Sequence, residues 1–382
     1  MKKNVLLVIT LLGLLVAACR KDKEEEPTPT PPAPGIGTPY DLVLPSNLPP
    51  MAIPPDNPLT VEGVDLGRYL FYEERLSGDN TMSCSSCHAP AMAFTDGLAV
   101  STGIDGIAGK RSSMPLFNLG YSQFFFWDGR AVSLEQQILE PVTNPIELHD
   151  TWPNAVSKLQ NDGAYPALFN AAFGTQVITP TLVSKAIAQF LRTLVSGNSK
   201  YDKVVRGEDI YTNEEFQGRV LFEAEGGPVG QQIFLPGGGF VVGQGGADCF
   251  HCHNQGAGLF TDEQFHNNAL DTEPFADQGR AAVTNDPFDA GKFKTPSLRN
   301  IMLTAPYMHD GRFATIDEVI DHYNDGGHSS STADPFMKFT DPDLTLELTP
   351  QKREQLKAFL NALTDVDFVN NPAFQDPGPP VP

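Results

Sequence analysis

Apolar residues recur at helical spacing in a few separated stretches, with polar, Gly- and Pro-rich segments between them. The first stretch, "NPLTVEGVDLGRYLFYEERL", predicts an opening helix. "SLEQQILEPV" predicts a short helix stopped by Pro141, because proline has no N–H to continue the ladder. "TPTLVSKAIAQFLRTLVSG" predicts a strong amphipathic helix. Thr179 caps it, Pro180 takes the first position, and Gly197 ends it. "TNEEFQGRVLFEAE" starts another helix with a cap-like Thr. In "TIDEVIDHYNDGG", Thr315 and Glu318 form a capping box, and Ile316, Val319, Ile320 and Tyr323 share one face. "TPQKREQLKAFLNALT" predicts the last helix. Strand signals are sparse, and "GGPVGQQIFLPGGGFVVGQGGAD" reads as a surface insertion or hairpin. The expected fold is mainly α with long loops.

The chain ends do not read as core. "MKKNVLLVITLLGLLVAAC" has a charged start and an apolar run too short for a comfortable membrane span. It ends in "LVAAC", which resembles a bacterial lipoprotein cleavage box. Residues 1–18 are then a signal peptide and Cys19 is the lipidated first residue. An ordinary secretory signal is the plainer alternative. "RKDKEEEPTPTPPAPG" is charged and then Pro-rich, so 19–44 is expected to be a disordered tether. The protein is therefore expected on the exported, periplasmic side, hung from a bacterial membrane by lipid and not spanning it. The outer membrane is one candidate. A length of 382 residues suits two domains, drawn at 45–205 and 206–365, with a Pro-rich tail at 366–382. The net charge of −21 argues against nucleic acid as a partner and permits a basic protein.

The cysteines carry the chemistry. Setting Cys19 aside, all of them lie in two C-x-x-C-H motifs: Cys84, Cys87 and His88, then Cys249, Cys252 and His253. Disulfides would not call for the following His, and a structural zinc site wants four ligands close together. C-x-x-C-H is the c-type haem attachment pattern, with thioethers to both cysteines and iron on the His. Two copies point to two covalently bound haem c groups. His251 reads as an intervening residue. "CHAPAMAFTDG" and "CHNQGAGLFTDE" both run on to Phe-Thr-Asp, a weak internal repeat of one haem module. The fold expectation becomes two cytochrome c-like haem domains side by side.

"FFFWDGRAVSLEQQILEPVTNPIEL", "AIAQFLRTLVSGNSKYD" and "FKTPSLRNIMLTAPYMHDGRFATIDEVIDHYNDGG" resemble the bacterial dihaem cytochrome c peroxidase family over about residues 45–365. The MauG-like branch fits best. The resemblance implies a peroxidatic haem at Cys84, Cys87 and His88. Glu147 matches the family's catalytic glutamate, Gln137 its companion glutamine, and Trp127 its inter-haem tryptophan; Pro141 also falls at a pocket position. Read without the motif, Glu147 is an exposed loop carboxylate. Family peroxidases that need prior reduction carry a distal His after the first haem. Residues Ala89 to Leu148 contain none, and His149 lies outside that loop. Within "VSTGIDGIAGKRSSMP" only Met114 is a soft group, and the resemblance does not support it as a ligand. An open site that reacts in the all-ferric state is expected.

At the second haem, Tyr323 falls where the peroxidases place an axial Met and MauG-like proteins an axial Tyr. Its plainer reading is a core aromatic. Met302, Met308, Met337 and His322 are rival ligands, and His309 reads as a support for the haem. The family also binds calcium between its domains, which maps to Ser112, Thr304 and Pro306. Ser112 replaces the usual Asn, which puts this site in doubt. The resemblance implies an oxidoreductase of the cytochrome-c peroxidase type. It would reduce H2O2 to water with electrons from a small cytochrome c or a cupredoxin, and a homodimer is compatible with it. One alternative is a MauG-like, peroxide-dependent oxidase of a protein side chain. Against it, the MauG protein carries a surface Trp where this chain has Ala247. A dihaem electron carrier without catalysis is the other alternative.

Overall fold

The computed structural model describes residues 37–234, 239–254, 256–337 and 345–381. The signal peptide, Cys19 and most of the tether lie outside them. In chain order the helices are α1 Val61–Phe71, α2 Leu134–Thr143, α3 Trp152–Gln160, α4 Tyr165–Phe173, α5 Pro180–Thr193, α6 Lys200–Val205, α7 Asn213–Glu223, α8 Ala281–Thr284, α9 Ile316–Asn324, α10 Pro350–Asn361 and α11 Val366–Val369. The described strands form two small antiparallel pairs. β1 (Gln232–Phe234) pairs with β2 (Phe240–Val242), and β3 (Phe265–His266) pairs with β4 (Phe293–Lys294). The class is mainly α, as the pattern predicts.

Two helix pairs organise two cores. α1 crosses α5 at Gly67, where a Cβ would lie 1.9 Å from the Ala186 carbonyl oxygen. α7 crosses α10 at Gly218, where a Cβ would lie 1.9 Å from the Gln355 carbonyl oxygen. Each glycine begins a similar run, "GRYLF" and "GRVLF". The closing phenylalanines pack alike: Phe71 touches Phe190 and Phe94 with ring centroids 5.5 and 5.9 Å apart. Phe222 touches Phe359 and Phe260 at 5.3 and 6.0 Å. Phe94 and Phe260 belong to the two Phe-Thr-Asp loops, so the weak sequence repeat is a repeat of packing. Asn118 and Asn300, both left-handed, extend it. Each amide donates to the residue just past the long helix, Leu194 or Leu363, at 2.8 and 3.1 Å.

The halves are stitched together within one compact unit, Gly35–Pro382. Arg299 makes a fully buried bidentate pair with Asp202 at 2.7 and 2.8 Å. The C-terminal tail crosses back to the first core, where Phe368 meets Phe94 and Arg68 donates to the Gln375 carbonyl at 2.7 Å. Tyr40, assigned to the tether by composition, donates its amide to Leu59 at 3.1 Å.

Several helices differ from expectation. Pro141 lies inside α2 and does not stop it. It removes one donor, but Asn144 N still reaches the Glu140 carbonyl at 3.0 Å. The returning chain then covers the exposed helix end, with Leu148 N on the Pro141 carbonyl and Asp150 N on the Val142 carbonyl. α5 ends at Thr193, before Gly197, and its second half is buried on nearly every side. Arg192 is tolerated there through its 2.7 Å pair with Glu135. α3 and α4 were not expected from periodicity. Each is short and has a proline in its first turn.

Candidate active site

Both C-x-x-C-H motifs form short 3-10 turns, Cys84–Ser86 and Cys249–His251, that lead into their histidines. His88 Nδ1 lies 2.8 Å from the Phe94 carbonyl, which leaves Nε2 as the ring nitrogen for a metal. His253 Nδ1 is held likewise by the Pro296 carbonyl at 3.1 Å. Burial pushes both imidazoles down, His253 to about 4, so each is neutral and fit to ligate. Burial raises the Cys84 and Cys249 thiols to about 12. Such cysteines are poor free nucleophiles and suit covalent occupancy.

A cavity of about 920 Å³ carries Cys84, Cys87 and His88 on its wall, together with Gln137, Pro141, Glu147 and Trp127. A second cavity, about 230 Å³, is lined by Cys249, Cys252, His253 and Tyr323. Paired thiols, an anchored imidazole and apolar space fit a covalently held haem at each. Trp127, Ser112, Lys294 and His309 line both cavities. Trp127 is clamped there: its indole N–H donates to the Ser112 carbonyl at 3.0 Å, and its own carbonyl accepts from Lys294 N at 2.8 Å.

In the first cavity, Glu147 leaves α2 through a turn at Asn144. Asn144 Nδ2 donates to Glu147 Oε1 at 2.6 Å, a positioning contact that the sequence did not flag. Burial lifts the Glu147 carboxyl above the ordinary range, and Asn144 and Arg130 only partly oppose it. Met114 lines the first cavity, with its backbone carbonyl toward the His88 ring. His149 is exposed, adopts a left-handed backbone and pairs with Asp105; it does not line the cavity.

The two DGR turns align without gaps, Trp127 with His309, and the alignment carries on through α2 and α9. Ser133 then matches Thr315, each an N-cap, and Pro141 matches Tyr323. The Tyr323 hydroxyl accepts from Asn268 Nδ2 at 3.2 Å, and burial lifts the phenol to about 12. Among the rivals, His322 has Nε2 2.9 Å from the Asn268 carbonyl and does not line the cavity. Met302 packs into the second core. Met308 and Met337 do reach the cavity wall. His309 stacks on Phe293 with centroids 3.7 Å apart, between the two cavities.

Ser112, Thr304 and Pro306 meet at the second cavity. The Ser112 hydroxyl donates to the Met308 carbonyl at 2.9 Å, and its carbonyl serves Trp127.

Residues 61–210 match the family model described as di-haem cytochrome c peroxidase. The chain is 34% identical over 311 residues to the methylamine utilization protein MauG of Methylorubrum extorquens, covering 81% of this chain and 80% of that protein. It is 32% identical over 289 residues to the cytochrome c551 peroxidase of Nitrosomonas europaea, covering 73% and 78%. A solved MauG-like protein associated with microbial copper homeostasis superimposes with a TM-score of 0.77 at 35% identity, covering 88% of this chain and 99% of that one.

Proposed function

The chain belongs to the dihaem cytochrome c peroxidase family, and on that premise we propose that it reduces hydrogen peroxide to water at the first cavity without prior reduction. It is an oxidoreductase of the peroxidase type. The observation that carries the specific reading is the shared wall of the first cavity. His88 and the half-buried pair Gln137 and Glu147 meet there, with Pro141 where the second half has Tyr323. Proline offers no side-chain donor to close an iron's sixth position.

When bound, the haem at Cys84, Cys87 and His88 supplies an iron that peroxide oxygen can reach, and the second haem supplies a route for electrons. The chain's own contribution is proton management. Each peroxide takes up two electrons and two protons and yields two waters. Glu147, as carboxylate, accepts the proton from one peroxide oxygen and returns it to the other. Its raised pKa makes the carboxylate a better acceptor of that first proton than an ordinary glutamate. Asn144 holds the carboxylate and Gln137 orients the peroxide. Trp127, fixed at both ends, is the group through which the second site serves the first. Electrons come from a small cytochrome c or cupredoxin. Export through the first 18 residues and a lipid on Cys19 complete the reading.

The second reading, oxidation of a protein side chain, is favoured by Tyr323 on the second cavity and by the likeness to MauG. Ala247 weighs against it: the residue is 4% exposed, so that position offers neither an aromatic ring nor surface to a partner. Supplying the holoprotein with peroxide and a reduced small c-type cytochrome tests the choice. The peroxidase reading expects two donor molecules oxidised per peroxide. A modified residue in a partner protein, with no donor oxidised, would transfer the assignment to the second reading.

A further inference from the structure

We propose that Lys294 is a shared positive charge that raises the reduction potentials of both haem sites, with Glu263 offsetting it at the first. The proposal rests on the reading that each cavity holds a haem. Lys294 lies on β4, two residues before Pro296, whose carbonyl holds His253. Its side chain is 7% exposed, and the residue lines both cavities. Among the described residues it is the one lysine or arginine on the wall of the second cavity. Lys110, Arg111, Arg130 and Arg312 line the first cavity alone. Each of those three arginines is paired with an aspartate.

A lysine is rarely buried unless its charge is paired. Here the partner is Glu263, with Nζ 3.3 Å from both carboxylate oxygens. Glu263 is also held from the first half, where the Ser122 hydroxyl donates to its Oε1 at 3.1 Å. The backbone fixes the lysine: Lys294 N donates to the Trp127 carbonyl at 2.8 Å, and the residue pairs with Phe265 across β3 and β4. The pair is thus pinned to Trp127, which lines both cavities as well. Glu263 lines only the first. A fixed charge away from water acts on its surroundings with little screening. Reduction adds a negative charge to a haem, so the ammonium favours the reduced form at either site. The carboxylate opposes that mainly at the first. Together they draw a single added electron toward the second site and leave the first iron ferric.

The test is spectroelectrochemical titration of the holoprotein, on wild type, Lys294→Met, Lys294→Arg and Glu263→Gln. Haem content is measured alongside. Lys294→Met should lower both midpoint potentials, and Glu263→Gln should raise at least one and lower neither. Each shift should amount to about a tenfold change in the ratio of reduced to oxidised haem at a fixed ambient potential. Lys294→Arg keeps the charge and should keep both potentials. A merely structural role would not give shifts of opposite sign. Unmoved potentials in Lys294→Met and Glu263→Gln, or shifts of the same sign in the two, overturn the proposal. If Lys294→Met fails to take up haem, the near-isosteric Glu263→Gln decides alone, and the absence of a raised potential overturns the proposal. The readout is independent of peroxide turnover, so a failure of the peroxidase reading is seen separately.

Discussion

The two halves share a scaffold and part company on one helix face. Both have a glycine crossing, a Phe-Thr-Asp loop, a left-handed Asn and a DGR turn leading into a capped helix. In the last turn of that helix, the first half carries Pro141 and the second Tyr323. Just beyond, the first half adds Glu147, held by Asn144, on its cavity wall. The second instead places Tyr323, Met308 and Met337 around a smaller cavity. A duplicated module is thus divided by a few side chains. On the proposed reading, the first site admits a small reactant and handles its protons. The second is lined by groups that could close a metal's last position, which the proposed electron-transfer role would use. Trp127 belongs to both.

The largest effect should come from removing the proton handler. Glu147→Gln is expected to lower peroxide turnover by about 10²–10⁴-fold with haem content intact. Turnover within threefold of wild type would remove Glu147 from the mechanism. Because the carboxylate form takes the first proton, wild-type activity should fall as pH drops through a value above the ordinary glutamate range. That limb should vanish in Glu147→Gln.

Making the first half resemble the second is the next test. Pro141→Tyr should slow the reaction of the ferric protein with peroxide about tenfold or more, since each ~1.4 kcal/mol needed to displace the phenol costs a factor of ten. An unchanged rate would show that Pro141 does not keep the site open. The shared scaffold predicts equal penalties in the two halves. Gly67→Ala and Gly218→Ala should each lower stability by about 1–3 kcal/mol or more, read as a drop in denaturation midpoint. A large loss in one and none in the other would mean that the two crossings are not equivalent.

The smallest effect separates the halves by pH. His266 stands four residues after Asp262, where the first half has Val100 after Asp96. Burial opposes its charge, but Asp262 at 2.7 Å and Asp334 at 2.5 Å prevail and raise its pKa to about 9. A raised folded pKa gives stabilisation that is complete below the unfolded value of about 6.5 and is lost as pH rises through about 9. Wild type should therefore lose more stability between pH 6 and 10 than His266→Asn. Parallel pH profiles would contradict this.

Much of the architecture was legible because caps and periodicity are local. Thr179, Thr212 and Thr315 each cap the helix predicted for them. The cysteine motifs were legible because attachment chemistry fixes their spacing. What escaped depends on distant contacts. Pro141 stays helical because the returning loop covers the α2 carbonyls. α3 and α4 are short and weakly periodic. The tail around Phe368 looked like loose proline-rich chain, and only the first core explains its order. Asn144 was hidden in a turn that any Asn-Pro could make. The packing repeat could have been found by setting "GRYLF" beside "GRVLF", or "WDGR" beside "HDGR".

The central claim is that the first site stands open in the oxidised protein. Stopped-flow absorbance of the untreated ferric holoprotein after one equivalent of H2O2 tests it most directly. A Soret change complete within the first seconds, without added reductant, is the expected result. No change until the protein has been half-reduced would contradict the claim. It would mean that a ligand from another part of the chain occupies the position that Pro141 leaves free.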